Sequence, residues 1–355
     1  MNRIWRIKEP HHTLGRSLTE TLRISPIMAQ LLINRGITDE MQAHHFLYGD
    51  ITSCHDPSLF TDMEKSVLRI KHAAKNKENI LLYGDYDVDG ITGVALLSRT
   101  LNFLGIKHAT HIPNRLEEGY GLNSNAVKSA HAKKTALIIT VDCGISGNRE
   151  VDLANSLGID VIITDHHEIK NSTLPKAYTI INPLQEKCRY PFKYLSGVGL
   201  AYKLAQVLLR GTSFPVEEHL DLVALGTVSD LSAQHGENRI LTRCGLRKLK
   251  ETKKVGIKAL IDVCRLKEKA ISSRHIGFIL GPRINAMGRI GSPEVALKLL
   301  LTDDRDEAAT LAGIMDKANR NRQKIERGVL EEAMEAVKRE VNFKESRVIV
   351  LSKAG

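Results

Sequence analysis

No apolar run in the 355-residue chain reaches the roughly 18 residues that a membrane-spanning helix requires. The opening residues, MNRIWRIKEPHH, meet charge and Pro10 before a signal-like apolar stretch can form. Cysteine is scarce: Cys54, Cys143, Cys188, Cys244 and Cys264 are scattered, odd in number and without a CxxC pair. That excludes a disulfide framework and a zinc knuckle, and suits a reducing compartment. Proline (10) and glycine (26) are too few for a collagenous or low-complexity chain. With 42% apolar and 26% charged residues, disorder as the main state is excluded as well. These absences predict a soluble, cytoplasmic protein with no membrane partner, built as two compact units or as one large unit with attachments.

What the chain does have is unevenly placed charge. Residues 1–240 hold 26 Lys/Arg and 26 Asp/Glu, whereas residues 241–355 hold 25 and 15, so the whole net charge of +10 lies in the last third. Such a block reads either as a footprint for a polyanion or as a solvated helical face. The run from Arg243 to Lys269 carries ten Lys/Arg against three acidic residues with no aromatic among them. If it meets a nucleic acid, it attracts backbone and does not read bases.

Helical spacing over residues 1–70 (Leu22, Ile27, Leu31, Leu32, Phe46, Leu47), broken by Pro26 and Pro57, predicts a helical lead-in. From residue 79 short apolar runs alternate with helix-period stretches. Strands are predicted at Ile80–Tyr83, Leu137–Val141, Val161–Thr164 and Tyr178–Ile181, and helices over 91–104, 123–133 and 148–157. This alternation predicts an α/β fold, a doubly wound, mostly parallel sheet over 71–235 with helical additions at both ends. Helices near 196–210 and 216–229 precede a basic helical region, 236–304. A long connecting helix follows over 305–342, and Arg347–Leu351 has the apolar look of a strand that opens a further unit, 343–355.

Three of the predicted strands end in bursts of acidic or imidazole residues: Asp85, Asp87 and Asp89; then Asp142; then Asp165, His166, His167 and Glu168. Sites in open parallel sheets form at the carboxyl ends of strands, so the three bursts should converge on one crevice. Carboxylates so crowded repel each other unless cations compensate. Hard oxygen ligands with one or two imidazoles suit Mn²⁺ or Mg²⁺, and Zn²⁺ less well. The D-x-D-x-D-G opening also matches a calcium-binding loop, but its twelfth position is Leu96 where a bidentate Glu is needed. Asp142 alone reads as a helix cap or a ligand, and Asp230 as a ligand or a surface residue.

The strings LLYGDYDVDGITG, VDCGIS, TDHHE, SGVGLAYKLA and LDLVALGTVSDL, in this order, resemble the DHH phosphoesterase superfamily, and within it bacterial single-strand-specific 5′→3′ DNA exonucleases. The resemblance implies two bound metal ions, Mn²⁺ or Mg²⁺, held by Asp85, Asp87, Asp89, Asp142, His166 and Asp230. In it Asp142 bridges the ions, Asp85 lies in or just behind the ligand shell, and His167 contacts the scissile phosphate. The implied reaction is two-metal hydrolysis that frees 5′ mononucleotides, with Asp87, Asp89, Asp142, His166, His167 and Asp230 as the catalytic set. The implied partners are single-stranded DNA, single-strand-binding protein and recombination factors, met by a monomer. The GPRINAMGRIG string, also typical of the group, implies strand contacts by Arg283, Asn285 and Arg289. The loop IPNRLEEGYG offers Arg115 for phosphate and Tyr120 for base stacking.

Members of this group continue past the connecting helix into a DHH-associated domain and an oligonucleotide-binding fold. The resemblance therefore implies a fragment that stops where the next domain begins. A DHH phosphodiesterase acting on short oligonucleotides or cyclic dinucleotides is the alternative enzyme, and a non-catalytic DNA-binding relative is the alternative outside enzymes.

Overall fold

The computed structural model describes residue 4 and residues 8–169, 173–267, 269–343 and 346–352. Three helices, α1 (His12–Leu22), α2 (Pro26–Asn34) and α3 (Glu40–Tyr48), enclose a small core of Leu18, Ala29, Leu32 and Ala43. Ile27 and Leu31, expected on the apolar face, stand outside this core and are exposed. The helix α4 (Met63–Lys75) leads into β1 (Asn79–Gly84), and α5 (Val88–Phe103), β2 (His108–His111), α6 (Ser124–Ala132), β3 (Thr135–Val141), α7 (Asn148–Ser156), β4 (Asp160–Thr164) and β5 (Thr179–Ile181) follow.

All strand pairs are parallel, in the order β2-β1-β3-β4-β5. The sheet has five strands where four were expected. The one missed, His-Ala-Thr-His, lies at the edge beside β1 alone, so it needs no continuous apolar run. Period-two alternation builds a core on each face: Leu137, Ile139 and Val141 of β3 point to one, and Ile138 to the other with Val127, Val151 and Ala154 of α6 and α7.

The first core is closed by α5, α8 (Gly197–Leu208) and α9 (Leu220–Ser229). The basic region resolves into α10 (Gly236–Lys250), α11 (Val255–Val263) and a continuous helical stretch. That stretch is α12 (Ser273–His275), a π-helical segment (Ile276–Leu280) and α13 (Gly281–Ile290), and α14 (Pro293–Leu301) follows it. The helix α15 (Arg305–Glu340) starts at a cap in which Asp304 accepts from the Asp306 and Glu307 N–H groups, and its buried residues all fall between Ala308 and Asn319. Its remaining length carries Ile325, Val329, Leu330 and Met334 exposed.

Two expectations give way. The helix expected from 91 starts at Val88, because Asp87 caps it through the Asp89 and Gly90 N–H groups. The strand expected at 347–351 does not form: among the described residues nothing pairs with it, and Val348 and Val350 are 78% and 85% exposed. An apolar run becomes a strand only where a neighbour completes its ladder. No helix among the described residues is long and apolar enough to cross a membrane.

Candidate metal centre

The order of the strands, more than their sequence, makes the site. At the switch point β1 lies beside β3, and β3 beside β4, with flush ends: Gly84 pairs with Val141 and Val141 with Thr164. The next residue of each strand extends the ladder by one bond. Asp85 N donates to Val141 O, Asp142 N to Thr164 O and Asp165 N to Ile181 O. Three acidic side chains far apart in sequence thus emerge side by side.

Asp142 adopts a left-handed backbone, with φ +62°, which an aspartate tolerates better than most residues. Asp89, fully buried, accepts from the Gly197 and Val198 N–H groups at 2.6 and 2.9 Å, so the N-terminus of α8 supports its charge. Gly197 of α8 and Gly226 of α9 leave room for these carboxylates, Gly226 also for Thr92 and Val198. A Cβ on Gly197 would meet the Asp142 carboxylate at 2.7 Å, and one on Gly226 would meet Asp89 Oδ1 at 2.7 Å. Asp230 follows α9, and Ser232 Oγ donates to its Oδ2 at 2.5 Å.

Three overlapping groups have ligand atoms within 4.8 Å of one another: Asp85, Asp87 and Asp142; Asp89, His166 and Asp230; and Asp142, His166 and His167. Burial and mutual repulsion push the carboxyls of Asp87, Asp89 and Asp142 above their ordinary range. Asp85 is pushed up to about 7, chiefly by burial and then by Asp87. Burial also lowers the pKa of His166. Asp85 Oδ1, Asp142 Oδ1 and His166 Nε2 are buried without a hydrogen-bond partner, although the last two lie only 3.0 Å apart. Orphaned buried atoms of this kind cost about 1–3 kcal/mol each, a penalty that a shared divalent cation removes. The donor set of carboxylates with imidazole fits Mn²⁺ or Mg²⁺.

Asp165 takes another part. Burial would raise its pKa, but hydrogen bonds from the His167 ring and from the Ile145 and His167 N–H groups outweigh that and lower it. Its Oδ1 holds His167 Nδ1 at 2.7 Å, and this contact raises the pKa of His167. The other ring nitrogen is 3.3 Å from the Tyr120 hydroxyl.

Beyond His167 the rim is aromatic and cationic. Tyr120 meets Tyr86 edge-on at 6.3 Å, Arg115 lies 5.4 Å above the Tyr86 ring, and the end of α13 that carries Arg289 packs on the same residue, where a Cβ on Gly288 would meet Tyr86 O at 2.5 Å. Of the residues expected to contact a strand, Arg115, Tyr120 and Arg289 therefore gather at one mouth. Asn285 lies against the same turn, its Oδ1 accepting from Val88 N at 3.2 Å. Arg283 is turned away, paired with Asp316 of α15 at 2.9 Å and bonded to Ile279 O. Sequence reasoning placed Asp165 in the third burst without seeing that it holds His167, and assigned no role to Tyr86, which stands between Asp85 and Asp87.

The basic run divides. Arg243 closes the C-terminus of α3 through Leu47, Tyr48 and Gly49 carbonyls, Lys248 pairs with Glu218, and Lys254 pairs with buried Asp221. Arg265, Lys267 and Lys269 stay exposed.

A buried, anionic cluster of carboxylates and imidazoles at the carboxyl ends of a parallel sheet defines a divalent-cation site. The family model described as "DHH family, N-terminal domain" matches residues 79–227, which contain all of the cluster except Asp230. The chain is 41% identical over 351 residues to the single-stranded-DNA-specific exonuclease RecJ of Bacillus subtilis (strain 168), covering 99% of this chain and 44% of the relative. A crystal structure of exonuclease RecJ bound to manganese is similar at 34% identity and TM-score 0.71, over 77% of this chain and 69% of that one. RecJ from Thermus thermophilus in complex with Mn²⁺ is similar at 30% identity and TM-score 0.77, over 92% and 46%. The chain belongs to the DHH family, on the RecJ side of it. It spans about half the length of the curated relatives it matches.

Proposed function

We propose that this chain is the catalytic core of a metal-dependent, single-stranded-DNA-specific exonuclease that works 5′→3′ and releases 5′ mononucleotides by phosphodiester hydrolysis. The observation that carries the reading is the set of three buried ligand atoms without a hydrogen bond, on Asp85, Asp142 and His166, inside a cluster whose carboxylates outnumber its cations. Asp85, Asp87, Asp89, Asp142, His166 and Asp230 would hold two Mn²⁺ or Mg²⁺ ions. When bound, such ions activate a water and offset the charge that builds on the phosphate.

The protein's own groups do the rest. Asp142 and His166 each belong to two of the three ligand groups, so displacement of either disturbs more than one site. Asp165 accepts from His167 Nδ1 and favours the protonated ring, whose Nε2, beside the Tyr120 hydroxyl, then donates toward a phosphate oxygen. Arg115, Arg289 and Tyr120 at the mouth hold backbone and base. Single-strand-binding protein and recombination factors are the partners the resemblance implies, in the cytoplasm.

Incubation with Mn²⁺ and single-stranded DNA labelled at the 5′ or 3′ end tests the reading. Nucleotide release from the 5′ end by the wild type, abolished in Asp142→Ala with the fold intact, is the expected result. Full activity in Asp142→Ala refutes it, and turnover of dinucleotides alone replaces it with the short-substrate phosphodiesterase.

A further inference from the structure

Two large apolar side chains are displayed to solvent on the segments that follow α9 and pack on its last turn. Leu231, the residue after Asp230, is 87% exposed and has φ +60°, a left-handed conformation that leucine avoids. Its neighbours explain the backbone. The Leu231 N–H reaches Val228 O, and Ser232 Oγ ties back to Asp230 Oδ2, so the residue between is turned outward. Phe278, 78% exposed, stands on the π-helical segment, a distortion that occurs often at functional sites. That segment packs on the last turn of α9: Gly277 lies against Val228, and a Cβ on Gly281 would strike Ser229 Oγ at 2.5 Å. Leu231 and the segment that carries Phe278 therefore both adjoin the end of α9 that delivers Asp230.

We infer that Leu231 and Phe278 form an apolar ledge for the unpaired bases of a nucleic-acid strand whose scissile phosphate lies at the cluster. The inference rests on the proposed nuclease reading and deepens it, because it names what grips the strand and why the strand must be single. A base in a duplex has its faces covered by stacked neighbours and its edge by its complement, so only an unpaired base can lie on such a surface. The occupant is set by charge as well. Arg265, Lys267, Lys269 and Arg274, all exposed, flank the π segment on its N-terminal side and suit a phosphate backbone. Phe278 supplies, nine residues past Lys269, the aromatic group that the basic run itself lacks.

The test measures binding, without metal, of a fluorescent single strand of about ten nucleotides and of an abasic strand of equal length. Phe278→Ala and Leu231→Asn are the variants. Asparagine tolerates the left-handed backbone, so Leu231→Asn keeps the turn while removing the apolar group. Each variant is expected to bind the base-bearing strand roughly tenfold more weakly and the abasic strand as the wild type does, with the melting temperature of Leu231→Asn not lowered. If either variant binds both strands like wild type, or loses both equally, the ledge is refuted while Mn²⁺-dependent nucleotide release by the wild type leaves the nuclease reading standing. If the wild type binds neither strand and releases no nucleotide, both fall.

Discussion

Lys203 and Glu237 are buried as deeply as Asp89 and Asp142, yet the two places treat charge in opposite ways. Around Lys203 one cation faces one anion. The Lys203 ammonium donates to Glu237 Oε1 at 3.0 Å and to His55 O at 2.9 Å, while the Tyr190 hydroxyl and the His55 N–H, each at 2.6 Å, complete the carboxylate. Around Asp142, carboxylates crowd one another and buried oxygens and a ring nitrogen lack a hydrogen bond, the nearest counter-group to Asp142 Oδ1 being the His166 ring at 3.0 Å. The first cluster is satisfied by the chain alone, and it fastens the segment after α3 to α8 and α10. The second is complete only with something the chain does not supply. Burial of charge marks neither structure nor function; the balance of donors and acceptors separates them.

That contrast can be broken from either side. The largest effect is expected from Lys203→Met, which strands Glu237 as an unpaired buried anion and should cost about 3–5 kcal/mol in urea unfolding, with much of it regained in Lys203→Met/Glu237→Leu. A loss below roughly 1 kcal/mol would mean that water reaches the pair.

Next comes Asp85→Asn in metal-free protein. Between the ordinary carboxyl value of 3.8 and about 7 the unfolded chain has released this proton and the folded chain has kept it. Stability therefore falls as pH rises through that window, by up to about 1.4 kcal/mol per unit. The amide should remove that slope, stabilising at pH 7 and above but not at pH 4. Identical profiles for the two proteins would show that Asp85 does not titrate there.

Mn²⁺ at a hundred times its dissociation constant should raise wild-type stability by about 2.7 kcal/mol, seen as a shift of the unfolding midpoint. The increment should vanish in Asp142→Ala and survive in the double variant at 203 and 237. The smallest effect is assigned to Tyr190→Phe, which leaves Glu237 Oε2 one donor short and should cost about 1–2 kcal/mol in the same unfolding measurement.

Much of the fold was legible because its signals are local. Runs such as Leu137–Val141 announce buried strands, and the residues just after them announce a site. The edge strand β2 was not legible, since two histidines, an alanine and a threonine carry no apolar pattern and its pairing with β1 is a long-range choice. Nor was the fate of the arginines. Arg283 and Arg243 look in sequence like Arg289 and Arg265, but Asp316 and the end of α3 claim the first two. The exposure of Leu231 and Phe278 was equally hidden, because it depends on how the π segment meets α9.

The amino-acid sequence by itself determined which residues carry chemistry: carboxylates and imidazoles placed directly after apolar runs, at spacings that only a cation makes tolerable. Tertiary structure alone decided that Asp85 stands beside Asp142, that Asp89 rests on the N-terminus of α8, and that Asp165 turns from the cluster to hold His167. The reason is physical: strand order and helix docking are fixed by hydrogen bonds and burial between distant segments, so the balance of charge at any point is a sum over neighbours that no local stretch contains.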